Sequence, residues 1–334
     1  MDRRDFLERL AALGLAGAAA LVGAERLFAS AREATDSEAG MPEMKRLRSA
    51  REGSKQTISA ALYPHLVAVR GGDAIKGVVR RFDEGMTAIG GIGRFVPRGS
   101  VVAIKPNIGW DVTPDRAANA NPLLVARIAQ AALEAGAKKV YVFDHSCDEW
   151  KACYRNSGIE KAARDAGATM APANAQAYYQ TVEIKGGKAL SEAKVHELAL
   201  ESDVLINVPV LKSHGGAGMT AALKNLMGLV WDRGAFHARG LDSAIAEIGL
   251  AVRPDLTVLD AGQVMLTGGP RGNASSRYAA LGMLMISTDM VAVDAAAAKA
   301  YGRDAAAFPY IGKAATLGLG SPDLERMDIR RISF

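Results

Sequence analysis

The sequence predicts an α/β fold: a mostly parallel twisted sheet with helices on both faces and a small antiparallel insertion. Three observations carry this. Short runs of β-branched and apolar residues are bounded by glycines, and helix-forming segments of roughly ten residues separate them. Polar or charged residues recur just beyond the ends of the runs, where open α/β sheets place their ligands.

The elements are expected in the following order. A strand at 65–69 precedes an amphipathic helix at 75–89, and a second strand covers 100–104. The helix at 122–135 opens on Pro122, which suits a first helical position, and stops at Gly136. A strand at 140–143 leads into a helical segment, 148–166, that stops at Gly167. The stretch 178–190 reads as a hairpin within the region 171–194, the best candidate for the insertion. A short helix, a strand at 204–208 and a helix at 220–226 follow. Then come a helix at 242–251, strands at 256–259 and 283–286, helices at 291–300 and 308–317, and a strand at 327–332. Met283 and Met285 alternate on a strand and belong to the core.

The densest chemistry lies in the run from Asn207 to Leu226. It begins as a buried strand, breaks into a loop carrying Lys212 and His214, and re-enters a helix through glycines and Thr220. Lys224 stacks over Thr220 one turn into that helix, and Asn225, unfavourable in a helix interior, calls for a specific hydrogen bond. Two lysines, an imidazole and the unpaired amides of a helix start together suit an anion. Other strands deliver Lys105-Pro106-Asn107, Asp144-His145-Ser146 and Asp260 to the same edge, and the loop Gly268 to Asn273 adds Arg271. Lys105, Asn107, Asp144, Lys212, His214, Thr220, Lys224, Asn225, Asp260 and Arg271 are therefore the candidate site residues. Each also has a plain structural use: Asp144 as a helix N-cap, Lys105 as a surface lysine, Arg271 in a turn.

The first residues read as a twin-arginine export signal. Arg3-Arg4 precede Phe6-Leu7, an apolar run from Leu10 to Ala24, and the small-residue stop Ala29-Ser30-Ala31. The run is about 15 residues, short of the roughly 20 that span a bilayer, so no stable membrane span is expected after processing. Residues 1–31 are thus assigned to a signal peptide, 32–61 to a flexible lead-in rich in charge, and 62–334 to a single α/β domain in the periplasm. The translocase of that route is the expected partner during export.

The 334-residue chain has a formal charge of +5, with lysine and arginine scattered rather than striped among aromatics. Nucleic acid is therefore not an expected partner; a small anionic ligand is. Cys147 and Cys153 are the only cysteines, so no cysteine-ligated iron–sulfur cluster is expected. Six helical residues would hold their Cα atoms roughly 9 Å apart, so no disulfide is expected either.

The chain resembles the family catalogued as domain of unknown function 362. The resemblance rests on Lys105-Pro106-Asn107, the run from Asn207 to Gly228, Asp260-Ala261 with Gly269-Pro270-Arg271-Gly272, and the segment from Ser287 to Asp294. It covers the chain from about Leu66 to Gly320. Many relatives carry cysteine-rich ferredoxin-like segments that bind iron–sulfur clusters, and this chain lacks them.

Two main readings follow. In the first, an exported enzyme acts on a small carboxylate or phosphate. Lys212, Lys224 and the helix start hold the anion, His214 moves a proton, and Asp144 or Asp260 orients it. In the second, a non-catalytic periplasmic protein binds an anion, or a divalent metal through Asp144, His145, His214, His237 and Asp260. A redox-associated role is implied only by the family analogy.

Overall fold

The computed structural model describes residues 63–334, so the signal at 1–31 and the lead-in at 32–61 lie outside the described residues. Strand β1 (Leu66–Arg70) is followed by helix α1 (Val78–Ala88) and strand β2 (Val101–Pro106). Every residue of β2 is buried, which explains its unbroken apolar run: a strand covered on both faces has no polar side to alternate with. Helix α2 (Pro122–Glu134) starts on proline, with the Asn121 side chain accepting from Leu123 N at 2.9 Å as its cap.

Strand β3 (Lys139–Val142) leads to two helices, α3 (Trp150–Asn156) and α4 (Ile159–Asp165), where the sequence predicted one helical segment. The break is Gly158, which caps α4 from a left-handed φ of 73° and cannot continue α3. The short strand β4 (Thr169–Met170) ends this half. The insertion is a two-stranded antiparallel sheet, β5 (Tyr179–Glu183) with β6 (Glu192–His196), a few residues longer than the predicted hairpin. Helix α5 (Glu197–Glu201) returns the chain to strand β7 (Val204–Val208).

The central run departs from expectation here. Pro209 ends β7, and the chain forms an antiparallel hairpin of β8 (Val210–His214) and β9 (Gly218–Thr220) instead of a loop. The helix that follows, α6 (Ala222–Asn225), is a single turn, so Thr220 lies on a strand and faces Lys212 across the hairpin rather than Lys224 along a helix. Helices α7 (Gly234–Ala238) and α8 (Leu241–Ala251) precede strands β10 (Leu256–Met265) and β11 (Tyr278–Ser287), both longer than predicted. Helices α9 (Met290–Ala300) and α10 (Pro309–Thr316) and strand β12 (Ile329–Ser333) complete the chain.

The main sheet runs β12-β1-β11-β10-β7-β2-β3-β4, with β8 against β10 and β9 against β8. Its pairings are parallel except where β11 lies between β1 and β10 and where β9 meets β8. The period of two in a strand sorts its side chains onto two cores. Val102, Ile104, Ile206 and Val258 pack with Phe82, Leu124 and Ile128 of α1 and α2 on one face. Ala103, Leu205, Leu259 and Met285 pack with Ile245, Val291 and Ile311 of α8, α9 and α10, and with the insertion, on the other. Among the described residues no helix is long and apolar enough to cross a membrane.

Candidate functional site

A cavity of about 210 Å³ opens beyond the carboxyl ends of β2, β3 and β7. Lys105, Asn107, Asp144, Lys212, His214, Thr220, Lys224 and Asn225 all line it, so eight residues predicted from separate segments meet at one place.

Its floor is a buried polar network. Lys105 Nζ lies 3.0 Å from Asp144 Oδ1 and donates to Asn225 Oδ1 at 2.9 Å. Asp144 Oδ2 accepts from Ile108 N at 2.6 Å. Asn225 is the hub that its awkward position announced: its oxygen also accepts from Asn107 Nδ2 at 3.1 Å, and its amide donates to Asn207 Oδ1 at 2.8 Å. Burial pulls the Lys105 ammonium below its usual range, and the adjacent Asp144 opposes that pull. Backbone must approach closely to seal this pair, and Gly228 does so: any Cβ there would overlap both Asp144 Oδ1 and Lys105 Nζ. Asp144 therefore neutralises a buried lysine, which is neither the helix cap nor the ligand-orienting role the sequence offered.

Lys212, also buried, donates to Asn107 Oδ1 at 3.2 Å and to the Ala118 carbonyl. Burial lowers it to about 7. Lys224 is half-buried, and burial lowers it to about 8. Neither lysine has a carboxylate partner among the described residues, and Asp144, the carboxylate that lines the same cavity, is engaged by Lys105. Two more groups on the wall escaped the sequence reading. Arg233 donates to the carbonyls of His145 and Ser146 at 2.9 and 2.8 Å and to Cys147 Sγ at 3.1 Å. Cys147 follows the Asp144-His145-Ser146 segment directly, so its position past a strand end was a usable signal; Arg233, in a loop after a short 3-10 turn, offered none.

His214 is expected to carry a proton, but its surroundings assign it another part. Its Nδ1 accepts from Gly216 N and Ala217 N, both at 3.1 Å, which leaves Nε2 as the N–H. Burial, with Lys224 and Lys212 adding to it, lowers the imidazole to about 3. It stays neutral near pH 7 and offers a hydrogen-bond donor instead of a base.

Three other expectations are corrected. The amides at the start of α6 are not free for an anion, because Ala222 N and Leu223 N donate to Asp294 at 2.5 and 3.1 Å. Asp260 lies away from the cavity: it shares strand parity with Val258, so it points to the face opposite Lys105, which shares parity with Ala103. There it lines a smaller cleft with Asn121 and Gln263, and burial raises it to about 6. Arg271 sits at the surface in an ion pair with Asp148 at 3.1 Å, while its neighbour Pro270 reaches the cavity wall.

Of the set considered for a metal, Asp144, His145, His214 and His237 line the cavity and Asp260 does not, but they do not converge on one point. Asp144 is held by Lys105, and His145 Nδ1 is bonded to Val230 O at 2.9 Å while its ring stacks on Trp231. Among the described residues no three His, Cys, Asp or Glu side chains gather as a metal site. Cys147 is exposed and Cys153 buried, and both are free thiols.

Known proteins can be set beside this geometry. The chain is 28% identical over 245 residues to thylakoid-associated protein sll1697 of Synechocystis sp., covering 69% of this chain and 72% of that protein. It is similar to the crystal structure of a Thermotoga maritima protein at 12% identity and a TM-score of 0.39, over 73% of this chain and 58% of the other. For the lactate racemase apoprotein of Thermoanaerobacterium thermosaccharolyticum the identity is 12% and the TM-score 0.41, over 64% of this chain and 54% of the racemase. The chain thus spans little more than half the length of either solved structure. Residues 102–299 match the family described as Domain of unknown function (DUF362), and over that span, more than half of its length, the protein belongs to that family.

Proposed function

We propose that the protein is an enzyme acting on a small anionic substrate, a carboxylate or a phosphate, in the cavity at the carboxyl edge of the sheet. The observation that carries this is an imbalance of charge. Lys105 and Asp144 cancel, while Lys212, Lys224 and Arg233 have no carboxylate partner among the described residues around one opening. Such an opening favours a negatively charged occupant, and partial burial strengthens each contact with it.

The groups divide the work. Lys224 and Arg233 hold the anion. Lys212 has two fixed acceptors, Asn107 Oδ1 and Ala118 O, which match the two N–H bonds of a neutral amine and leave its lone pair to take a proton. With its pKa near 7 it exchanges a proton at physiological pH and serves as the general base. His214 donates through Nε2 to oxygen that gains charge as the proton leaves, in the manner of an oxyanion-stabilising group. The reaction class is proton abstraction beside a carboxylate or carbonyl.

Binding is the first test. Phosphate or malonate is expected to raise the melting temperature of the parent, by about 2.7 kcal/mol of stabilisation at a hundred times Kd. Lys224→Ala should abolish most of that response without lowering the unliganded melt. The sign of the pH dependence follows from the ammonium: it binds anions while protonated, so the response is full below about pH 7 and is lost as pH rises through about 8. Anions that leave the melt unchanged at every pH would remove the basis for this reading.

We further propose that the protein is exported in folded form by the twin-arginine route and works in the periplasm. Arg3→Lys with Arg4→Lys should leave uncleaved protein in the cytoplasm, and normal processing of that double variant would refute the route.

A further inference from the structure

Cys147 is not used by the chemistry above, yet it stands on the wall of the same cavity. Its Sγ accepts a hydrogen bond from the Arg233 guanidinium at 3.1 Å, and its backbone is tied to Gly109 O at 2.8 Å, so the thiol is held in place at an exposed position. Lys105, Lys212 and Lys224 all lie within its electrostatic reach. A second feature of the wall independently calls for a ligand. Thr220 is 3% exposed, lines the cavity, and its Oγ1 is buried without a hydrogen-bond partner among the described residues. A buried hydroxyl without a partner carries a desolvation cost that a bound oxygen would relieve.

We propose that Cys147 is a covalent attachment site, its thiol adding reversibly to the carbonyl carbon of a small 2-oxo carboxylate held by Lys224 and Thr220. This deepens the anion reading and rests on it. The cations account for the carboxylate; the thiol accounts for an electrophilic carbon beside it. In the addition the S–C bond forms and the carbonyl π bond opens. The thiol proton ends on the former carbonyl oxygen, and the product is a thiohemiacetal or thiohemiketal. Nothing is oxidised or reduced and no group leaves, so no further reactant is required. Arg233, already bonded to the sulfur, stands where it can donate to the oxygen as charge develops there.

The test uses glyoxylate, with glycolate as a control of the same charge and nearly the same size that lacks the carbonyl. Alkylation of Cys147 by iodoacetamide is followed by peptide mass spectrometry in the full chain, with buried Cys153 as an internal reference. Glyoxylate is expected to slow alkylation of Cys147 by roughly tenfold more than glycolate does at the same concentration. Lys224→Ala should remove that advantage, which separates cavity addition from the general reactivity of thiols. Glyoxylate should also raise the melting temperature more than glycolate in the parent, and Cys147→Ser should make the two equal.

Three outcomes overturn the proposal. Equal protection by glyoxylate and glycolate would mean that the anion binds without addition; the covalent site falls while the anion cavity stands. A glyoxylate advantage that survives Cys147→Ser would place the addition on an amine such as Lys212. Protection by neither, with no shift in melting, would remove the anion reading as well.

Discussion

Asp144→Ala is expected to destabilise the protein by about 3–5 kcal/mol, the usual result of stranding one member of a buried ion pair. The variant leaves Lys105, 1% exposed, with only the Asn225 oxygen to face its charge, and it removes the acceptor of Ile108 N. The cost is carried by the uncompensated ammonium and the orphaned amide, so Lys105→Met combined with Asp144→Leu should recover a large part of it. Urea unfolding followed by circular dichroism measures both. An Asp144→Ala protein that unfolds with the parent would show that the carboxylate is free for chemistry, and would return it to the ligand-orienting role.

The second large effect is expected at Asp294, which is buried and caps α6 through two backbone amides. Asp294→Ala leaves Ala222 N and Leu223 N buried without an acceptor, at about 1–3 kcal/mol each. Because α6 carries Lys224 and Asn225, the response to anions should shrink in the same variant. The pH dependence has a defined sign. Burial raises the Asp294 carboxyl from 3.8 to about 7, so the folded chain binds a proton there that the unfolded chain has released. The associated stability is fully present below about pH 4 and is lost as pH rises through about 7. The stability of the parent minus that of Asp294→Asn should therefore fall between about pH 4 and 7. Taking the difference cancels Asp260, which is raised in both proteins. A flat difference would mean that the two amides hold the carboxylate ionised throughout.

The two cores and the layered sheet were readable because burial on both faces leaves a local record. A strand such as Val204–Val208 has no polar alternation to hide its apolar run, and each amphipathic helix shows its core side at a period of 3.6. The insertion was readable from alternation instead, because its strands bury one face and leave exposed residues on the other. Element ends and the middle of the chain were less so. Nothing local announces that Gly218–Thr220 pairs back onto β8, because that pairing is rewarded only by contacts across the hairpin and with β10. The long antiparallel reach of β10 against β11 is likewise a matter of partners and not of composition.

What the sequence by itself determined is the class of fold, the edge of the sheet at which charge would collect, and eight of the residues that line the cavity. Position past a strand end is a local property; it marked Lys105, Asn107, Asp144 and Lys212, which all line the cavity, while Lys224 was marked by the helix expected at 220–226. Tertiary structure alone decided which charges remain free. Asp144 cancels Lys105, Asp294 occupies the amides of α6, two backbone amides take Nδ1 of His214, and strand parity turns Asp260 to the other face. Charge balance and hydrogen-bond satisfaction depend on partners up to 120 residues away, as Lys105 and Asn225 are, and no local pattern encodes them.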